Sequence, residues 1–142
     1  KKKMVYKKQK KSSGFRCYPR LPQDGMIEWR DKSKNIYNLI RSLGPPYPYA
    51  YTYTGIKKIE IIEAEIINNF GKLIAVPGHI ISVMDNGCIL VATKDKPILI
   101  KEVKIYGQKH SIKPDKIFKS IRERLGLNIE ILLKSITNDQ IN

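Results

Sequence analysis

The chain has 142 residues, 42% of them hydrophobic, and 27 Lys and Arg against 13 Asp and Glu leave a formal net charge of +14. That is one ordinary domain with enough apolar residues for a core, and the composition excludes global disorder. No apolar run approaches the roughly 18–20 residues that span a bilayer, and the N-terminal lysine cluster lacks the apolar core of a secretory signal, so no membrane partner is expected. The absence of an initiator Met reads as a fragment or a processed piece. The charge draws polyanions, yet it is mostly Lys beside an Ile-rich apolar set, so it permits an RNA or phosphate partner without demonstrating one. Cys17 and Cys88 lie far apart without metal-ligand spacing. They are expected as free thiols in a reducing cytosol, which makes the protein cytoplasmic.

In chain order, residues 1–30 read as a basic extended linker. Lys1 to Lys11 has no apolar period and is expected to be mobile. "SSGFRCYPRLPQDG" is all turn residues: Pro19 and Pro22 deny it a helix, and Asp24-Gly25 closes it. Ile27 and Trp29 share one side of the short extended "MIEW". Residues 31–44 form the linker helix, with Asp31 or Ser33 accepting the amides of its first turn. Ile36, Leu39, Ile40 and Leu43 make one apolar stripe, and Gly44 with Pro45 stops the helix.

The period then changes to two, opening a domain over residues 45–126. "AYTYT" sets Tyr51 and Tyr53 on one face against Ala50 and Thr52. Gly55 turns the chain into "KKIEIIEAEII", and "NNFGK" is a loop. "HIISVMDNGCILVAT" is a hairpin about Asp85-Asn86-Gly87, where Asn-Gly supplies the positive φ angles of a tight turn. "KDKP" reverses into "ILIKEVKIY". About five strands with turns between them predict a mainly β fold with flanking helices, a small antiparallel barrel or sandwich. A second helix is expected from Pro114 to Leu125, with Ile117, Phe118, Ile121 and Leu125 on one face and Gly126 as its stop. Residues 127–142 are a tail whose apolar part beyond Asn128 suits either a helix or a strand.

Chemistry-bearing patterns are scarce. His79 and His110 have no carboxylate or nucleophile at a recognisable spacing, so no catalytic residue and no metal site is assigned. Glu60, Glu63 and Glu65 lie on or beside a strand, and Glu63 with Glu65 reads as a solvated strand face rather than an acid–base pair. No G-x-x-x-x-G-K-S/T or G-x-G-x-x-G phosphate loop occurs. The residues alone describe a binding or scaffold domain. "PPYPYAYTY" is too short for a polyproline ligand. Its tyrosines either offer a stacking platform for bases or a sugar, or pack the helix-to-strand corner. Corner packing is favoured, with Tyr47 and Tyr49 the exceptions.

Four phrases in order, "YPRLPQDGMIEW", "IYNLIRSLGPPYPYAYTY", "PGHIISVMDNGCILVATKDKPILIKEV" and "SIKPDKIFKSIRERLG", resemble the C-terminal half of the folate-dependent formyltransferases. That family includes methionyl-tRNA formyltransferase and the amino-sugar formyltransferases, and the resemblance runs from about Gln9 to Gly126. It implies a Greek-key barrel of the OB type beside an N-terminal Rossmann-like domain that carries 10-formyltetrahydrofolate and an Asn-His-Asp catalytic group. The barrel would then serve acceptor binding, to tRNA or a nucleotide sugar, and domain packing. Arg20, Pro22, Asp24 and Gly25 match a family loop that passes near the active site. Ile27 and Trp29 match its "I-x-W" step, while Arg41 and Pro45 to Pro48 match the helix and the "PPYP" corner. The substrate-binding candidates are Arg20, Asp24 and Arg41, on the resemblance, with Tyr47 and Tyr49 from the aromatic stretch itself, and Pro22, Gly25, Trp29, Pro46, Pro48, Gly78 and Gly87 are structural. Tyr49 departs from the family's Gly. A positive φ there would strain it by about 1 kcal/mol or more; otherwise the ring obstructs a close approach. The alternative function is a stand-alone OB-like nucleic-acid-binding module.

Overall fold

The alternation after Ala50 builds a five-stranded antiparallel sheet: β1 (Tyr51–Thr54), β2 (Lys57–Ile66), β3 (Ile80–Val83), β4 (Ile89–Val91) and β5 (Ile98–Ile105), in the spatial order β1-β2-β5-β4-β3. The computed structural model describes residues 18–72 and 74–139, with Lys8 and Gly14. Cys17, most of the Lys1–Lys11 run and the end of the tail lie outside the described residues. Laying β2 beside β5 across the β3–β4–β5 meander is a Greek-key connection. The ladder stays open, with β1 and β3 as its edges, so the expected barrel is a curled half-barrel.

Turn chemistry fixes the register. Thr54 pairs with Lys57 across Gly55-Ile56, and Gly55 alone takes a positive φ (60°), the pattern of a type II′ hairpin. The β3–β4 turn differs from the expected tight Asn-Gly turn. Gly87 has φ 82° but Asn86 does not, and Met84 pairs with Cys88 around a three-residue loop. The Asn86 side chain instead accepts the Cys88 amide at 3.1 Å. Between the sheet's inner face and its ends lies a core of β-branched residues, including Ile59, Ile61, Ile89, Val91, Ile98, Ile100 and Val103, closed by Phe118. Trp29 is buried beside them and donates its indole N–H to Thr52 Oγ1 at 2.9 Å.

α1 (Ser33–Ser42) presses Ile36 and Ile40 into this core against β2. Neither Asp31 nor Ser33 caps it as expected. Asp31 accepts from Lys32 N–H and the Asn35 amide, while the Ser33 N–H donates to Asp95 Oδ1 at 2.7 Å. The cap comes from a loop 62 residues away because the β4–β5 turn reaches the helix end first. Burial would raise the Asp95 pKa. Hydrogen bonds from the Ser33 and Lys96 backbone and from the Ser33 and Thr93 hydroxyls outweigh it and hold the carboxyl below its ordinary value. Asp95→Ala should cost about 1 kcal/mol of stability, a cap's worth moderated by solvent screening. Because the folded pKa is depressed, the wild-type advantage is present above about pH 4 and disappears as the pH falls through the folded value. Paired urea melts of the two proteins from pH 7 to pH 2.5 should therefore converge at the acid end.

The stretch expected as a second helix is not one. Only Pro114–Lys116 forms a single 3₁₀ turn, and the chain then runs irregularly through a second turn at Ile121–Arg122. Two forces explain this. Glu123 Oε1 accepts the amides of Lys119 and Ser120, a side-chain turn that competes with helix. The open edges of the sheet also need backbone partners. Ile80 N–H donates to Glu123 O, Leu125 N–H to Gly78 O, and Gly126 N–H to Tyr53 O, so the stretch bridges the seam between β3 and β1. The ambiguous tail is helical over α2 (Ile129–Asp139), because Asn128 Oδ1 accepts the amides of Glu130 and Ile131 as an N-cap.

Candidate functional site

The linker does not hang free of the sheet. Ile27 N–H donates to Tyr51 O at 2.8 Å, and Met26 bridges Tyr51, so the segment after Pro22 is stitched to β1. Just before it, Asp24 Oδ2 accepts the Leu21 amide at 2.7 Å and closes the 3₁₀ turn Pro22–Gly25. Gly25 lets that turn lie against the corner after α1: a Cβ there would come within 3.3 Å of Leu43 Cδ1 and 3.4 Å of Tyr49 O. On the corner itself, Tyr47 N–H donates to Gly44 O at 2.8 Å. Turn and corner together enclose a cleft of about 610 Å³ walled by Arg20, Pro22, Leu43, Tyr47, Pro48 and Tyr49, within the range of ligand sites.

Of the five binding candidates, the cleft gathers Arg20, Tyr47 and Tyr49. Asp24 is committed to the Leu21 amide. Arg41 stands apart: its Nε donates to Asn38 Oδ1, its guanidinium lies 6.0 Å from the Tyr37 ring, and it borders a separate groove with Glu63, Glu65 and Lys101. There the Lys101 ammonium reaches Glu63 at 3.2 Å and Glu65 at 2.9 Å. The hydrogen bonds to Glu65, then to Glu63, raise the Lys101 pKa. Both carboxylates thus share one ammonium on a solvated strand face rather than forming an acid–base pair. Gly78 and Gly87 lie away from the cleft, where 3₁₀ turn and seam pass over them. Pro46 is exposed on the corner, joined to Pro45 by a cis peptide.

Tyr49 has no positive φ, so the backbone there is relaxed. Its ring instead takes up space, with Cε1 3.2 Å from where a Cβ on Gly44 would stand, and it narrows the cleft. The four tyrosines divide by depth. Tyr51 is buried, and burial, followed by the neighbouring Tyr53 and Asp24, raises its pKa. Tyr53 meets it edge-on at 5.8 Å. Tyr47 is 70% exposed at the cleft's rim.

Sequence reasoning missed the cations interleaved with these rings. The register aligns Tyr51 with Glu60 and Glu60 with Lys104. Lys58 Nζ lies 3.9 Å from the Tyr51 ring and 4.4 Å from the Tyr106 ring, and Lys104 Nζ lies 5.0 Å from the Tyr49 ring. Buried Glu60 approaches Lys104 Nζ to 2.8 Å, although its Oε2 lacks a well-directed hydrogen bond. The contact is charge pairing at close range rather than an aligned donor. Only strand pairing brings these residues together, and alternation alone does not reveal which residues face each other. Among the described residues no three His, Cys, Asp or Glu side chains converge as a metal site, and no helix is long and apolar enough to cross a membrane.

The described residues thus form a mainly β half-barrel, entered through a stitched linker and helix with a cleft at their junction. Residues 21–122 match the family described as formyl transferase, C-terminal domain, and the chain belongs to that family. It is 34% identical over 107 residues to methionyl-tRNA formyltransferase of Prochlorococcus marinus, covering 64% of this chain and 31% of that protein. It is 42% identical over 85 residues to methionyl-tRNA formyltransferase of Clostridium acetobutylicum, covering 60% and 26%. With the bifunctional polymyxin resistance protein ArnA of Wigglesworthia glossinidia brevipalpis it shares 33% over 127 residues, covering 79% and 19%. The matched part thus spans less than a third of each of these three relatives. HypX from Aquifex aeolicus, crystallised in complex with tetrahydrofolic acid, has the same fold at TM-score 0.59 and 14% identity, over 73% of this chain and 18% of HypX.

Proposed function

We propose that this chain is the non-catalytic, acceptor-side domain of an enzyme that moves a formyl group from 10-formyltetrahydrofolate to an amine. The observation that carries the reading is the cleft, which brings Arg20, Tyr47 and Tyr49 from linker and corner into one wall. Donor and chemistry are assigned to a Rossmann-like partner domain outside this chain, in the cytoplasm. This domain's part is to hold the acceptor, methionyl-tRNA or a nucleotide-linked amino sugar, and to pack against that partner. The relatives named methionyl-tRNA formyltransferase support the first acceptor class, and the amino-sugar class rests on the family resemblance. The test is a formyl-transfer assay of the intact gene product with both acceptors side by side. One acceptor should be formylated by the intact protein and neither by these 142 residues alone; turnover by the isolated chain would defeat the reading.

The net charge of +14 favours a second reading, a stand-alone nucleic-acid-binding module. Under it, binding to initiator tRNA should weaken steeply with salt, with a log–log slope of about −0.9 for each phosphate neutralised on a duplex. A slope near zero removes that reading.

A further inference from the structure

We propose that the cleft is the nucleotide half of the acceptor site, with Tyr49 as the stacking wall for the base and Arg20 as the phosphate contact. The proposal rests on the acceptor-side reading above and gives it a ligand class. The Tyr49 ring is fixed from two directions. Its edge lies against Gly44, which has no Cβ to displace it, and the Lys104 ammonium stands 5.0 Å from its centroid. Lys104 does not line the cleft, so it backs the ring from the sheet side. Glu60, only 6% exposed, holds that ammonium at 2.8 Å. A buried carboxylate, an ammonium and an aromatic ring thus form a chain that ends at the cleft wall.

That chain selects among ligands. Aromatic-walled clefts commonly take cations, because the ring face is electron-rich. Here a cation already occupies the back of the ring and draws that density away, and Arg20 adds a second positive charge. The arrangement opposes a cationic ligand and favours a flat, electron-rich base joined to an anion. Among the described residues Arg20 has no carboxylate within ion-pair distance. Tyr47, exposed at the rim, offers a second ring. Both acceptor classes carry this chemistry: a tRNA ends in nucleotides, and a nucleotide-linked sugar contains one.

Calorimetric titration of the intact protein with adenosine 5′-monophosphate, uridine 5′-diphosphate and ribose 5-phosphate tests the assignment. Tyr49→Ala should weaken both nucleotides about 5- to 150-fold, the range for losing one stacked base, while Tyr49→Phe stays within about threefold. Ribose 5-phosphate should be indifferent to Tyr49→Ala and lose affinity with Arg20→Ala. Tighter binding of the monophosphate points to a tRNA end, and tighter binding of the diphosphate to a nucleotide sugar; either supports the proposal. Nucleotide affinity unchanged by Tyr49→Ala overturns it. If Tyr49→Ala raises the acceptor KM while free nucleotides neither bind nor compete, the nucleotide assignment falls and the acceptor reading stands. If neither moves, both fall.

Discussion

Gly78→Ala should destabilise the domain by about 2–4 kcal/mol, through backbone strain and a steric clash acting together. Gly78 has φ 87°, and a Cβ there would collide with Leu125 O and stand 3.4 Å from the Trp29 indole. The oxygen belongs to backbone that crosses the seam, where Gly78 N–H donates to Ala92 O and Leu125 N–H donates back to Gly78 O. Relief would require breaking that pairing or shifting Trp29, whose indole N–H is tied to Thr52 in the core. Gly71→Ala is the control: among the described residues nothing lies within 4 Å of its Cβ position, and its φ is not positive, so its stability should change by less than about 0.5 kcal/mol. Urea unfolding of the three proteins measures both, and a Gly78→Ala midpoint equal to that of Gly71→Ala would contradict the crossing at the seam.

Phe118→Ala should cost about 3–5 kcal/mol, whereas Ile121→Ala should change stability by less than about 0.5 kcal/mol. Helical spacing would place both on one buried stripe and make their losses comparable. In the irregular course observed, Phe118 is fully buried at the end of the core, and Ile121 is 59% exposed. Thermal unfolding of the two variants therefore decides between helix and irregular chain by ratio, which is safer than an absolute value. Equal losses would restore the helix.

The contrast shows where the sequence was legible. α1 is written in its own residues: Ile36 and Ile40 at i and i+4, then Gly44 and Pro45, are local signals, and local physics honoured them. The strands and their turns are legible for the same reason. The segment from Ile117 to Leu125 has an equally good helical period, but its fate is set by the unpaired edges of β1 and β3, which lie far away in sequence. The Asp95 cap is hidden in the same way, since nothing near Ser33 announces a carboxylate arriving from the β4–β5 turn. At the candidate site, the aromatic stretch pointed to Tyr47 and Tyr49 and the resemblance to Arg20, which the fold brings together. The resemblance also pointed to Asp24, whose charge closes a turn, and to Arg41, which the helix turns toward another groove. Glu60 and Lys104 were invisible because their meeting depends on the β2–β5 register, shifted by irregularities between Ile61 and Ala64.

Steady-state kinetics of the intact protein carrying Arg20→Ala test most directly whether this domain serves the acceptor rather than the chemistry. The acceptor KM should rise severalfold, while the KM for 10-formyltetrahydrofolate and the kcat at saturating acceptor stay near wild type. A fall in kcat with the acceptor KM unchanged, or a shift confined to the donor KM, would contradict the account.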